Sequence, residues 1–157
     1  MFDVRVQPGA FDPEQEQLTF RERLPGIGAV VSFVGIMRDS SHGQEVREMM
    51  LEYYPGMTEK VLQRLLDEAR ARWSLAGARV IHRVGPLQPA DAIVLVLTAS
   101  THRGDAFRGC EFLIDALKTQ APFWKRELTP EGPRWVQNRE QDALAAERWT
   151  SSCQPLN

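Results

Sequence analysis

The chain has 157 residues, of which 43% are hydrophobic and 25% are charged, and its formal net charge is −2. This composition is typical of a single globular domain, and the small net charge excludes a general electrostatic attraction to nucleic acid or to an anionic membrane. The sequence shows no signal peptide, and no apolar run approaches the roughly 18 residues that span a bilayer. We therefore expect a cytoplasmic protein in which any recognition of anions is local.

Hydrophobic periodicity, N-cap residues and turn residues predict a mixture of strands and helices along the whole chain. The predicted strands are Phe2–Val6, Gly28–Gly35, Val46–Tyr54, Arg79–Val84, Ala92–Ser100, Phe123–Leu128 and Arg134–Val136. The predicted helices are Pro13–Glu22, Glu59–Trp73, Asp105–Lys118 and Glu140–Trp149. Short turns join several neighbouring strands, which favours an α+β fold with a largely antiparallel sheet in a single domain.

Some elements carry more detailed expectations. Asp12 before Pro13 is typical of an N-cap, and the helix that follows has few apolar residues, so we expect it on the surface. The valine-rich strand Gly28–Gly35 is expected to be buried and to pair with Val46–Tyr54 around a polar loop. The helix Asp105–Lys118 places an apolar face toward the core. That face consists of Phe107, Cys110, Leu113, Ile114 and Leu117.

Cationic side chains flank this last helix. His102 and Arg103 precede it, Lys118 lies in its last turn, and Lys125 and Arg126 follow a break at Pro122. Backbone N–H groups at a helix N-terminus and a neighbouring arginine can bind a phosphate group. The concentration of donors on a mildly acidic chain suggests an anion-binding site.

Each of these residues also has a simpler structural explanation. Lysine in the last helical turn is favoured by the helix dipole, and a histidine before a helix can be a cap or a core residue. Strand alternation puts Lys125 on the face opposite Trp124, so Lys125 faces a cleft or solvent if Trp124 points to the core. Arg38, at the end of a predicted strand, is either a surface arginine or a phosphate ligand.

Several familiar kinds of site are missing from the sequence. There is no phosphate-binding glycine motif, no CxxC pair and no nucleophile elbow, and the histidines are not spaced as metal ligands. We therefore expect neither a metal nor a cofactor.

Taken together, the motifs resemble the catalytic (large) subunit family of molybdopterin synthase. The matching stretches are GAVVSFVGIMR, LEYYPGMTEK, VIHRVGPL, STHRGDAF, LKTQAPFWKRE and TPEGPRWV. They occur in the order of the family and extend from about Gly28 to Val136. The combination of HR, LK and PFWK at this spacing is highly specific.

The resemblance implies an α/β-hammerhead type fold and a homodimer at the centre of a heterotetramer. In that family a small ubiquitin-like sulfur-carrier subunit inserts its Gly-Gly C-terminus, activated as a thiocarboxylate, into the large subunit. The implied activity is that of a sulfurtransferase, which places two sulfurs on cyclic pyranopterin monophosphate in molybdenum cofactor biosynthesis. Residues 1–150 would form the large-subunit domain, and residues 151–157 a flexible tail.

The resemblance also assigns roles to particular positions. It implies that Lys118 and Lys125 are catalytic. The substrate-binding positions that it implies are Ile36, Met37, Arg38, His102, Arg103, Arg126 and Glu127. Ile36 departs from the family, which often has a basic residue there.

Two other functions remain open on the sequence alone. The chain can be a scaffold that binds a ubiquitin-like partner without catalysis, with its lysines serving as salt-bridge partners. It can also be a nucleotide-phosphate enzyme that uses the same cations. Product formation from the purified chain, a thiocarboxylated partner and the pterin precursor distinguishes these alternatives.

Overall fold

The computed structural model of the protein describes residues 1–41, 43–136 and 140–150. Its strands are β1 (Phe2–Gln7), β2 (Ala29–Ile36), β3 (Ser40–Ser41), β4 (Gln44–Glu45), β5 (Glu48–Tyr53), β6 (Leu75–Arg83), β7 (Gly85–Leu87), β8 (Ala92–Ser100), β9 (Phe123–Thr129) and β10 (Gly132–Val136). Its helices are α1 (Pro13–Glu22), α2 (Met57–Arg72), α3 (Arg103–Gln120) and α4 (Glu140–Glu147). The predicted α+β class is confirmed. None of the helices in these described ranges is long and apolar enough to cross a membrane.

The first sheet has the strand order β1-β6-β8-β2, and helices cover both of its faces. β1 runs parallel to β6, while the other two pairings are antiparallel. β8 is the apolar centre of this sheet and is buried from Val94 to Ser100. α2 and α3 pack on one face, where leucines of both helices contact Val80 and Val96. Burial on both faces explains why β8 has a continuous apolar sequence.

α1 lies on the opposite face of the first sheet. Its N-cap is confirmed, because the carboxylate of Asp12 accepts hydrogen bonds from the backbone N–H groups of Glu14 and Gln15. The expectation of a surface helix is only partly right, because Phe20 is fully buried against Ile81 and Leu95. Phe20 and the ion pairs of Glu16 with Arg79 and Arg5 attach this polar helix to the sheet.

The second sheet has the strand order β10-β9-β5-β7 and is antiparallel throughout. The predicted pairing of β2 with β5 is wrong, because β2 pairs with β8 and β5 pairs with β7 and β9. β2 is also not a buried strand. It forms the edge of the first sheet, and the Phe33 side chain is 36% exposed there. The predicted hairpin of β9 and β10 is confirmed.

The α3 helix packs on the first sheet, and its C-terminal end leads into β9 of the second sheet. Cys110 is on its buried face as predicted, and burial raises the pKa of that thiol to about 12. Phe107 is not on that face, because its side chain is 60% exposed. At the C-terminal end, Ala121 is extended and the Pro122 carbonyl accepts a hydrogen bond from the Thr58 hydroxyl. The predicted break at Pro122 therefore directs the chain from α3 into β9.

A short connection before β8 has an unfavourable backbone conformation. Ala90 has a φ of 73°, the left-handed region that alanine rarely adopts. Its N–H donates to the carbonyl of Met37, and the Met37 N–H donates to the carbonyl of Asp91. This connection thus fixes the backbone just after β2 at the cost of local strain.

We expect Ala90→Gly to raise the free energy of unfolding by about 0.5–1 kcal/mol, because glycine adopts this φ without steric cost. Urea unfolding followed by circular dichroism measures the change. Ala121→Gly is the matched control, since Ala121 has a φ of −76° and glycine there should lower stability. A stability of Ala90→Gly at or below that of the unsubstituted protein would contradict the prediction.

Candidate active site

A cavity of about 510 Å³ lies where the end of the first sheet meets the second sheet and the C-terminal end of α3. This volume is within the usual range for small-molecule sites. Its walls come from β2 and the segment after it, from β5 and β9, from α3 and from the start of α4. The charged side chains that line it within the described residues are Arg38, Lys118, Lys125, Glu127 and Asp142.

Lys118 reaches the cavity from the last turn of α3. Ile114 and Leu117 of the same helix also line it, so the apolar face of α3 continues directly into the cavity wall. The Lys118 side chain is 47% exposed, and its Nζ lies 3.3 Å from Oδ1 of Asp142 on α4. The helix dipole favours a cation at this position, and the break at Pro122 leaves the amine beside β9.

Lys125 reaches the same cavity from β9. Strand alternation places it with Phe123 and Glu127, as predicted. The assumption that Trp124 points to the core is wrong, because Trp124 is 47% exposed. The outer face of β9 faces solvent, and its inner face carries Lys125 into the site.

Glu127 is buried at the edge of the cavity and forms an ion pair with Arg134 of β10. The distance between Glu127 Oε2 and Arg134 Nη2 is 2.8 Å, and this arginine also donates a hydrogen bond to the side chain of Gln44. This paired carboxylate forms part of the buried cavity wall, on the same strand as Lys125.

The stretch from Ile36 to Arg38 forms the rim of the cavity. Ile36 is 49% exposed and Met37 is almost fully buried, while the Arg38 side chain is exposed at the opening. The backbone of Met37 is fixed by its hydrogen bonds with Ala90 and Asp91. A guanidinium group at the rim is well placed for a phosphate or carboxylate.

Three of the predicted substrate-binding residues lie outside this cavity. Arg126 is on the outer face of β9, with its guanidinium group over the Trp135 ring. His102 and Arg103 are exposed at the N-terminal end of α3, about 22 Å from Lys118 along the helix axis. His102 occupies the N-cap position, but its side chain makes no capping hydrogen bond. His102 and Arg103 adjoin α3 in sequence, but the length of the helix keeps them away from the two cavity lysines of the same chain.

His82 is a cavity residue that the sequence reasoning considered only as a metal ligand. Its ring is buried and stacks on Phe123, with ring centroids 3.9 Å apart and planes 19° from parallel. Nδ1 lies 2.8 Å from the carbonyl oxygen of Arg83, so Nδ1 carries the proton and donates it. Burial, together with the nearby charge of Lys125, lowers the pKa of His82 to about 4. A neutral imidazole therefore lies on the floor of a cationic cavity.

These observations define a class of protein: an α+β domain in which two lysines, one from a helix and one from a strand, line a single cavity. The family model described as MoaE protein matches residues 6–120. A molybdopterin synthase catalytic subunit from Pseudomonas aeruginosa is 53% identical over 93% of this chain and 97% of its own length. The corresponding Escherichia coli K12 subunit is 56% identical over the same shares.

A solved structure supports the same relationship. The molybdopterin biosynthesis MoaE protein from Burkholderia ambifaria superposes with a TM-score of 0.82 at 48% identity, covering 97% of this chain and 100% of that one. The chain belongs to the MoaE family, whose curated members are named molybdopterin synthase catalytic subunit. The family predicted from the sequence motifs is thereby confirmed.

The buried His82 predicts a particular loss of stability in acid. Its pKa is about 4 in the folded protein and about 6.5 when unfolded, so the unfolded chain binds the proton first as the pH falls. The stability contributed by the neutral ring is therefore complete above about pH 6.5 and is lost between about pH 6.5 and 4.

We expect this loss to be absent in His82→Phe, which keeps an aromatic ring on Phe123. Between pH 7 and 4.5 the unsubstituted protein should lose about 2–3 kcal/mol more than the variant. Urea unfolding at a series of pH values measures the difference. His42 and His102 are present in both proteins, so their contributions cancel. Parallel stability curves for the two proteins would contradict the prediction.

Proposed function

We propose that this chain is the catalytic subunit of a molybdopterin synthase. It would transfer sulfur from the C-terminal thiocarboxylate of a small ubiquitin-like subunit to cyclic pyranopterin monophosphate. The observation that carries the proposal is the convergence of Lys118 and Lys125 on one cavity in a chain of this family. The chain has three lysines in all, and two of them line the cavity. The cytoplasmic location expected from the sequence stays a prediction.

The charge distribution suits anionic reactants. The thiocarboxylate and the substrate phosphate are both negative, and the carbonyl oxygen of the carrier gains charge when its carbon is attacked. Ammonium groups at the mouth and on the wall of a partly enclosed cavity stabilise that charge more strongly than they would in water. We assign this role to Lys118 and Lys125, and binding of the substrate phosphate to Arg38.

The chemistry of sulfur transfer determines which forms of the carrier the site must bind. Each new C–S bond replaces a C–O bond at a substrate carbon. The acyl carbon–sulfur bond of the carrier breaks at the same time, and the carrier is left with a carboxylate whose new oxygen comes from water. The site must therefore bind an anionic carrier end both before and after transfer. Because two sulfurs are needed for each dithiolene, this exchange occurs twice for each substrate.

Lys118→Ala and Lys125→Ala should each lower the rate of sulfur transfer by about 100-fold or more, as expected when a group that stabilises developing charge is removed. The assay combines the purified chain, a thiocarboxylated small subunit and the pterin precursor. Lys60→Ala is the matched control, because Lys60 is exposed on α2 outside the cavity.

Binding of the small subunit without product formation by the unsubstituted chain would favour the alternative of a non-catalytic scaffold. Near-normal transfer by Lys118→Ala, with the control unchanged, would remove Lys118 from the mechanism. A substrate panel that includes nucleotides tests the remaining alternative.

His102 and Arg103 require a second copy of the chain if they contact substrate. The length of α3 separates them from the lysines of their own chain. A homodimer can bring the N-terminal end of α3 of one copy to the cavity of the other. We propose that these two residues act across the dimer, and that Arg126, on the outer face of β9, contacts a bound macromolecule or the second copy rather than the pterin.

Mixing inactive variants tests this arrangement. Lys118→Ala and Arg103→Ala dimers should each be impaired, and subunit exchange between them should restore roughly a quarter of the wild-type activity, because mixed dimers of two-fold symmetry have one intact site. Activity that stays at the level of the separate variants after complete exchange would show that both residues serve the same chain's site.

A further inference from the structure

The acidic side chain of Asp142 reaches the cavity from the C-terminal helix α4. Its Oδ1 is 3.3 Å from Lys118 Nζ, and the Asp142 side chain is only 22% exposed. Gln141 lines the cavity beside it. A carboxylate supplied by the chain itself is therefore in contact with the amine that we assign to catalysis.

α4 is attached to the rest of the protein mainly at its ends. Leu144, its largest apolar side chain, is 62% exposed, so the middle of the helix contributes little to a core. Just beyond its C-terminal end, the Trp149 ring packs edge-on against Trp73 and Phe112, at centroid distances of 5.6 and 5.7 Å. The Trp149 Nε1–H donates to Asp115 Oδ2 at 2.7 Å.

Arg148 strengthens this attachment by an ion pair with the same carboxylate of Asp115 at 2.6 Å, and by another with Glu111 at 2.9 Å. Both acidic residues belong to α3, the helix that ends in Lys118. α4 is thus fixed to α3 near Trp149 and meets it again at the Asp142–Lys118 ion pair. This arrangement holds the Asp142 carboxylate at one place relative to Lys118.

We propose that Asp142 is a positioning residue for Lys118, and that its carboxylate occupies the place that the anionic C-terminus of the carrier subunit takes on binding. The proposal rests on the proposed function and specifies how the site is occupied before the carrier arrives. A carboxylate and a thiocarboxylate have the same charge and similar geometry, so both are suitable partners for the Lys118 ammonium group. The carrier must then displace the Asp142 carboxylate. Before the carrier arrives, Asp142 already orients the Lys118 ammonium group toward the place that the carrier's anionic end will occupy.

Asp142→Asn tests the competition, because it removes the charge and keeps the size of the side chain. The carrier subunit with an ordinary Gly-Gly carboxylate end is used, so that binding is measured without turnover. We expect the Kd of this carrier to fall about twofold to fivefold, because that change corresponds to the free energy of one partly exposed ion pair. The gain should shrink in 1 M salt, where the Debye length is about 3 Å.

Two comparisons show whether the effect acts through Lys118. Glu147→Gln removes the same charge from α4 at an exposed position that forms no ion pair among the described residues, and it should leave the Kd unchanged. In a Lys118→Ala background, Asp142→Asn should no longer tighten binding. Thermal unfolding of each variant checks that the fold is retained. Unchanged or weaker carrier binding by Asp142→Asn overturns the proposal, as does an equal gain from Glu147→Gln.

A second measurement needs no partner and separates this proposal from the proposed function. Labelling with an amine-reactive reagent, followed by mass spectrometry, reports on three lysines, and Lys60 serves as the internal reference. Since the ion pair engages the Lys118 amine, Asp142→Asn should raise the labelling rate of Lys118 relative to Lys60. An unchanged ratio overturns the pairing. Failure of the unsubstituted chain to bind any carrier overturns the proposed function instead, and the labelling ratio then still decides the pairing.

Discussion

The stacking of Phe123 on His82 is the contact on which the site depends, because it joins the two sheets at the floor of the cavity. His82 is at the end of a strand of the first sheet, and Phe123 begins a strand of the second. Lys125 lies two residues beyond Phe123 on the same face of its strand, so the stack also sets where that amine enters the cavity. The ring of His82 can fill this position because burial keeps it neutral beside a cation.

The second determinant of the site is the short connection between α3 and β9. The helix ends at Gln120, Ala121 is extended, and β9 of the second sheet begins at Phe123. Lysines seven positions apart thereby face one cavity from two different elements. A continuous helix would have carried Lys125 away from the sheet, and a longer loop would have left the distance between the two amines undetermined. Pro122, with its carbonyl bound by Thr58, fixes this geometry.

Local sequence predicted the elements well where a single physical signal was strong. The bounds of β8 follow from a continuous apolar run between polar residues, and the N-cap of α1 follows from the Asp12-Pro13 pair. The spacing of the cations around Pro122 and the family resemblance together predict both cavity lysines. Strand partners were harder to predict, because a valine-rich segment such as β2 fits the edge of either sheet equally well, and its partner depends on contacts remote in sequence.

The residues that sequence reasoning missed share one cause. His82 belongs to an apolar strand and becomes a cavity residue only because the second sheet meets the first at that point. Asp142 is one of several acidic residues on a polar helix, and only its tertiary position distinguishes it. Conversely, His102 and Arg103 are next to α3 in sequence but at its far end in space. A candidate site assembled from neighbouring residues therefore combines both ends of one helix, which the length of α3 separates within a single chain.

The residues that line the cavity are far apart in sequence, and this has a consequence for folding. Residues from β2, β6, α3, β9 and α4 meet there, and their sequence separations range up to about a hundred positions. Closing such long loops costs chain entropy before any contact is gained, so contacts of this kind form late and slowly compared with local ones. The cavity should thus be among the last parts of the molecule to form. Recovery of carrier binding during refolding would then lag behind recovery of helix content, and it would report on the docking of the two sheets.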